Sequence, residues 1–450
     1  MIKKIKDFFS YKIRISYAIN LAFFIVVFVS FYSYVHYLDT GIAPELSNLE
    51  QARFEGIANS KYNISVPQKL SWENPTAEKP TVYAKSAISI DINSGKILYE
   101  HNADEVIPPA SMTKIIGMYV VFEEIASGRI SLDDIVPLPP ETWWVNAPPH
   151  SSLMFLNDGH IVTLEEVLLG LNISSGNDAA MAIATYVSGS MEAFIERMNA
   201  VVKEVGLEKT HFVDSSGYSA ENATTAREFV QFARMYVQKY PETLELFHSQ
   251  PQIAYPQEHN LPTWRRGIDY PIVQKNTNPT LGVIDGVTGL KTGFIDESGY
   301  NLSLTVKRGE TETLTVFMGG PGRNPREGNA YRLADSNAIV DFLYSHYETA
   351  DFGDAFELNI PVLKGTEDFI FAKEAIDIPV TVPANSVELA KSIELDSFVT
   401  APLEQGDVLG KVVYYADGVV VQEVPLLADR TIEKAGFLSS GIDKLVALFL

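Results

Sequence analysis

The chain has 450 residues, 46% hydrophobic and 20% charged, with 35 Lys plus Arg against 57 Asp plus Glu and a formal net charge of −22 at pH 7. That length suits two to three domains with real cores, and the acidic balance disfavours nucleic acid as a general partner, because phosphate binding needs a basic surface. There is no cysteine, which excludes a disulfide framework, a thiolate metal site and a cysteine nucleophile.

The charge is uneven along the chain. Residues 1–38 carry Lys3, Lys4, Lys6, Lys12 and Arg14 against Asp7, a net +4, which leaves −26 for the rest. A 21-residue run from Ile15 to Val35 follows with no charged residue, and a helix crossing the hydrocarbon core needs about 20 such residues. Residues 1–40 therefore read as a cytoplasmic stub and transmembrane anchor, with the basic flank inside and everything after Asp39 outside. The competing reading is a cleaved secretory signal, but Tyr32, Tyr34, His36 and Tyr37 stand where small cleavage-site residues belong. Both readings place the remainder on the extracytoplasmic side of the cytoplasmic membrane.

Residues 41–80, with Pro44, Pro67, Pro75 and Pro80 among polar residues, read as a linker. Ala87 to Ile92 and Lys96 to Tyr99 around Asn93-Ser94-Gly95 predict a hairpin. Helical spacing then runs from Pro108 to about Gly128 and from Leu164 to about Gly206. Strand alternation returns between 283 and 318, turning at Arg308-Gly309, and a helix follows from about Glu327 to His346. Residues 81–348 thus suit an α+β catalytic domain. Residues 349–428, with short β-branched runs and a turn at Asp417-Gly418, suit a small all-β domain. The end, 429–450, places Ile442, Leu445, Val446 and Phe449 on one helical stripe and reads as an amphipathic helix at a membrane surface or packed on its own domain.

Three motifs occur in order: Ser111-Met112-Thr113-Lys114, Ser175-Gly176-Asn177 and Lys291-Thr292-Gly293. The first puts a hydroxyl and an amine one helical turn apart, with Pro108 and Pro109 suiting a helix start at the serine. A lysine of lowered pKa can take the proton of a serine that is otherwise a poor nucleophile. Desolvation and the second lysine, Lys291, should each push Lys114 down. Ser175 can relay a proton and Asn177 can hold a substrate amide. Lys291, Thr292 and Gly293 on a strand edge offer a cation, a hydroxyl and room for an extended peptide.

Each motif alone is weak; the ordered trio is the signature of penicillin-binding proteins and class A β-lactamases, which is a worked instance of serine acyl transfer. Over residues 82–450 the chain resembles the low-molecular-mass penicillin-binding proteins of the D-alanyl-D-alanine carboxypeptidase type. Further points of likeness are Asn102-Ala103-Asp104, Ser151-Ser152-Leu153-Met154-Phe155, Asn276-Thr277-Asn278 and Gly299-Tyr300-Asn301. The resemblance implies a serine DD-peptidase/β-lactamase-like fold, an antiparallel sheet flanked by helices, followed by the β domain and a membrane-associated terminal helix. It implies that Ser111 forms an acyl-enzyme with the penultimate D-alanine of peptidoglycan stem peptides, with Lys114 as its base, and that β-lactams acylate the same serine. Ser175 and Asn177 would move protons and position substrate, Lys291 would support the electrostatics of the site, Thr292 would contact the substrate's terminal carboxylate, and the N–H groups of Ser111 and Phe294 would form the oxyanion hole. Arg326 aligns with a family arginine near that carboxylate, with Arg323 the competing assignment. Phe294-Ile295-Asp296-Glu297-Ser298 departs from the usual residues at its second and fifth positions.

No His-x-x-x-His pattern marks a metal and no Gly-x-Ser-x-Gly marks an α/β-hydrolase, so the reading calls for no cofactor and no metal. Glu165-Glu166 reads as a solvated helix face. A β-lactamase would need rapid deacylation and lacks support in a Glu-x-x-x-Asn pattern between Ser175 and Lys291; a catalytically silent wall-binding protein would not need Ser111, Lys114 and Lys291.

Overall fold

The computed structural model describes residues 78–353, 357–373, 380–395 and 399–435. The expected anchor, the spacer up to residue 77 and the terminal helix beyond Ala435 lie outside these residues. Among the described residues no helix is long and apolar enough to cross a membrane.

These residues form two compact units. The first is built on β1 (Ser86–Asp91) and β2 (Ile97–His101), joined by the predicted turn, where Asp91 Oδ1 accepts from Ser94 N at 2.6 Å and Gly95 takes a left-handed φ of +74°. Two short ribbons pair β3 (Val106–Ile107) with β4 (Thr224–Thr225) and β5 (Gln252–Tyr255) with β6 (Ile272–Lys275). Three long strands complete the main sheet: β7 (Val287–Ile295), β8 (Gly299–Arg308) and β9 (Thr311–Gly320). The five-stranded order is β2-β1-β9-β8-β7, antiparallel throughout, which leaves β7 at an edge.

Six α-helices are described in this unit: α1 (Lys114–Ala126), α2 (Leu164–Ile173), α3 (Asn177–Ser188), α4 (Met191–Glu204), α5 (Ala226–Lys239) and α6 (Pro325–His346). The period-2 set Ile88, Ile90, Leu314, Val316 and Met318 shares one core with Met118, Val121, Leu168, Phe229 and Phe232 from the helices. Helix α6 lies along β8 and β9. Helix α5 was not evident from the apolar spacing. Its start is written in Thr225 and Glu228, since Thr225 accepts from Glu228 N at 3.1 Å. Glu166 is not a plain solvated residue. It caps α2 with Thr163 and accepts from Asn260 Nδ2 at 2.9 Å, because a carboxylate there meets the free N–H groups of a helix start.

This first unit runs to Asp351 and also takes in the returning strand Val380–Pro383, a piece of the span expected to be β domain. The reason is local: β10 (Tyr347–Ala350) pairs with β13 (Val380–Pro383), and Thr381 is fixed to Asp91 Oδ2 by its hydroxyl at 2.6 Å and to buried Lys96 by its carbonyl. The second unit begins at Phe352 and resumes at Glu388. Its elements among the described residues are strands: β11 (Glu357–Pro361), β12 (Phe369–Lys373), β14 (Leu389–Leu395), β15 (Val408–Ala416) and β16 (Val419–Leu427). Asp417 and Gly418 both take positive φ at the β15–β16 hairpin, as a tight two-residue turn requires.

Candidate active site

Ser111 stands in a 3-10 turn, Ala110–Thr113, and the α-helix proper opens at Lys114. The expected helix start at Ser111 is therefore displaced, because Ala110 takes a φ of +50° and Met112 N reaches back to Pro109 O at 3.3 Å. The pairing of side chains survives: Lys114 Nζ lies 3.0 Å from Ser111 Oγ. Helix α1 is apolar on nearly every face and is buried in the core, so it carries Lys114 to 1% exposure.

The second motif is the break between α2 and α3. Ser175 sits at φ +58°, a left-handed conformation that costs roughly 1–2 kcal/mol for a residue with a Cβ. Asn177 opens α3, and its Oδ1 accepts from Lys114 Nζ at 2.8 Å while its Nδ2 donates to Ser151 Oγ at 3.0 Å. Asp178 beside it accepts from Met154 N, Phe155 N and Leu156 N at 2.8 to 3.0 Å, binding the 151–156 segment to the motif.

The third motif lies on the edge strand β7. Lys291 Nζ donates to Ser175 Oγ at 2.9 Å and to Thr292 O at 3.2 Å, and Thr292 Oγ1 donates to Thr277 Oγ1 at 2.7 Å. A Cβ on Gly293 would stand 2.4 Å from Pro109 O, so only glycine lets β7 lie against the turn that holds Ser111. Phe294 is half exposed and stacks on Tyr300 with ring centroids 4.3 Å apart. Behind the strand, Arg332 donates to Gly293 O and Asn301 O and lies over the Tyr300 ring.

Burial pushes Lys114 down to about 7, against the pull of Asp214 and Asp178, which favour the ammonium. Lys291 is also driven well down, by burial first and then by the charges of Lys114 and Arg332. The expected mutual effect of the lysines thus acts on Lys291, while Lys114 is lowered by desolvation. Neutral His248 backs the strand: burial pulls it down to about 3, with its Nδ1 3.1 Å from Leu290 O and its Nε2 2.9 Å from Tyr236 Oη. The chemical capacity is that of an amine able to accept a hydroxyl proton at neutral pH, with a second amine–hydroxyl pair alongside.

Hydrogen bonds thus join Ser111, Lys114 and Asn177 in one set and Ser175, Lys291 and Thr292 in another, and Gly293 closes the strand onto the turn that holds Ser111. Arg326 is exposed in the first turn of α6, and Arg323 pairs with Glu327 at 2.7 Å. Thr277 stood among the points of likeness without a role, and two contributors carried no motif: Ser216, whose carbonyl accepts from Lys114 Nζ at 2.6 Å, and Arg332. Their signal is three-dimensional. Among the described residues no group of three or more His, Asp or Glu is placed to hold a metal ion.

Residues 73–322 match the family model described as D-alanyl-D-alanine carboxypeptidase. The chain belongs to this family. Residues 344–434 match the C-terminal domain of penicillin-binding protein 5. The chain is 32% identical to D-alanyl-D-alanine carboxypeptidase DacF of Bacillus subtilis, over 79% of this chain and 87% of that one. Against D-alanyl-D-alanine carboxypeptidase DacA of Escherichia coli the identity is 30%, over 82% and 89%. Penicillin-binding protein 5 of Haemophilus influenzae superposes with a TM-score of 0.68 at 28% identity, over 79% of this chain and 99% of that one. The chain is therefore a serine-type D-alanyl-D-alanine carboxypeptidase of cell-wall metabolism, with a penicillin-binding protein fold followed by the C-terminal β domain.

Proposed function

We propose that this chain removes the terminal D-alanine of peptidoglycan pentapeptide stems through an ester on Ser111, working outside the cytoplasmic membrane to which both ends of the chain attach it. The observation that carries the mechanism is the environment of Lys114: its Nζ is 3.0 Å from Ser111 Oγ and burial holds its pKa at about 7, so at neutral pH a large share of it is free to act as base.

Neutral Lys114 takes the Ser111 proton as Oγ attacks the carbonyl between the two D-alanines. The tetrahedral oxyanion is held by the N–H groups of Ser111 and Phe294, each such donor being worth roughly 2.7–4 kcal/mol in serine peptidases. The Ser175 hydroxyl, backed by Lys291, relays the proton that Lys114 gained to the leaving amine, so D-alanine departs and Lys114 is neutral again. Water then cleaves the acyl ester with Lys114 again as base, restoring Ser111. Asn177 aligns the substrate amide. A substrate carboxylate near Thr292 favours the ammonium form of Lys291, offsetting its low pKa. Arg326, exposed at the start of α6, is free to meet the same carboxylate, with Arg323 engaged by Glu327. A β-lactam presents the same carbonyl and carboxylate and acylates Ser111 likewise.

Membrane attachment is supported by the uncharged run Ile15–Val35 behind five basic residues and by the amphipathic spacing of Ile442, Leu445, Val446 and Phe449. The test is incubation of the full-length chain with diacetyl-Lys-D-Ala-D-Ala and with a fluorescent penicillin. Free D-alanine together with a long-lived penicillin adduct, both lost in Ser111→Ala, is the expected result. Fast penicillin turnover without D-alanine release would make the chain a β-lactamase, and inertness to both a silent wall binder.

A further inference from the structure

We infer that Asp214 is a positioning residue that aims the lone pair of Lys114 at Ser111. The inference rests on Lys114 being the base, as proposed above. Asp214 touches neither of those side chains. It is the centre of a loop in which its Oδ1 accepts from Ser216 N at 2.7 Å, Ser216 Oγ at 2.8 Å, Gly217 N at 2.6 Å and Tyr218 N at 3.2 Å. Its Oδ2 accepts from Ser219 N and Asn222 Nδ2, at 2.8 and 2.9 Å. Burial opposes its charge, yet these donors hold the carboxyl below the ordinary range, so it is an anion throughout the working pH.

The wrapped loop delivers one group to the site, the Ser216 carbonyl, 2.6 Å from Lys114 Nζ. The loop packs tightly at that point, since a Cβ on Gly217 would fall 1.8 Å from Ala110 O, next to Ser111. A neutral primary amine has two N–H donors and one lone pair. Of the three partners of Lys114 Nζ, Asn177 Oδ1 and Ser216 O can only accept, and only Ser111 Oγ can donate. When both carbonyl oxygens are in place they take both N–H groups, and the lone pair faces the hydroxyl whose proton it must remove. Ser151 Oγ fixes the Asn177 amide, and Asp214 fixes the Ser216 carbonyl. If that carbonyl drifts, an N–H turns onto Ser111 Oγ and the base faces away.

The charged groups bearing on the Lys114 amine are Asp178 from α3, Asp214 from this loop and Lys291 from β7. Removing the Asp214 charge withdraws support from the ammonium and shifts the acid limb of acylation to lower pH. A scaffold role alone would lower stability and leave that limb in place. The experiment measures acylation rates of the full-length chain by a fluorescent penicillin from about pH 5 to 9, spanning the titration of Lys114, for the parent, Asp214→Asn, Ser216→Ala and Lys114→Ala. Asp214→Asn should lower the plateau about 10- to 100-fold, the size of loss that a misplaced catalytic group brings, and move the acid limb down. Ser216→Ala keeps the carbonyl but removes one donor to Asp214, and should show a smaller loss. A parental plateau in Asp214→Asn, or a lowered plateau with an unmoved limb, overturns the proposal. Should Asp214→Asn fail to fold, a parental rate in Ser216→Ala overturns it instead. Parental acylation by Lys114→Ala is a separate outcome, which removes the base on which the proposal stands.

Discussion

Lys114 is where sequence and chemistry meet most tightly. An ordinary lysine is charged at neutral pH and useless as a base; this one, 1% exposed on an apolar helix, is held at about 7. The sign of the pH dependence follows. The reactive form is neutral, so acylation rises as pH climbs through about 7 and falls about tenfold for each unit below it. Penicillin acylation rates across that range check this, and a flat profile down to about pH 5 would show that another group takes the proton. Ser175, fixed by its hydrogen bond to Lys291, acts on the leaving group in this scheme. Ser175→Ala should therefore lose D-alanine release by about 10²–10⁴-fold, the usual worth of general acid–base catalysis, while a stopped assay still detects penicillin bound at Ser111. Equal D-alanine release by variant and parent would remove Ser175 from the proton path.

At the scale of elements, the site is a meeting of one 3-10 turn, one helix break and one sheet edge. Gly293 is the seam: with 2.4 Å between its Cβ position and Pro109 O, Gly293→Ala must push β7 away from Ser111. We expect at least about a hundredfold loss of acylation, as for a displacement of about 1 Å, with cooperative unfolding retained; undiminished acylation would mean the strand edge does not shape the site. All three motifs were legible because each couples a residue type to a local geometry: helical i,i+3 spacing, a small-residue helix break, and a glycine on a strand. The hairpin turn at Asn93-Ser94-Gly95 and the Asp417-Gly418 turn were legible for the same reason. Ser216 and Arg332 were not. A backbone carbonyl leaves no mark in a sequence, and Arg332, six residues past Arg326, reaches Gly293 only because α6 lies along β8. The return of β13 to the first unit was hidden likewise, since it depends on the fit of Thr381 between Asp91 and Lys96.

For the whole molecule, burial of amines sets the pH response of stability. Lys96 and Lys114 are both lowered to about 7 by burial, against the ordinary lysine value, and Lys291 is lowered as well. Between about pH 7 and 9 the unfolded chain then holds more protons than the folded one, so stability rises with pH by up to about 1 kcal/mol per unit per group. Above about pH 10 the gain ends, because the lysines of the unfolded chain lose their protons too, and the buried phenols of Tyr236 and Tyr255, pushed up by burial, turn the slope downward. Urea unfolding midpoints should increase from about pH 7 to 9; a steady decrease would mean the lysines are charged in the folded state. In the proposed topology the +4 of residues 1–38 would face the cytoplasm and the −26 of the remainder the outside.

The most direct test of the account is mass spectrometry of the full-length chain after brief exposure to a penicillin at neutral pH. One penicilloyl mass per chain, mapped to the peptide holding Ser111 and absent from Ser111→Ala and Lys114→Ala, is the predicted result. An adduct on any other residue, or full labelling of Ser111 without Lys114, would contradict it.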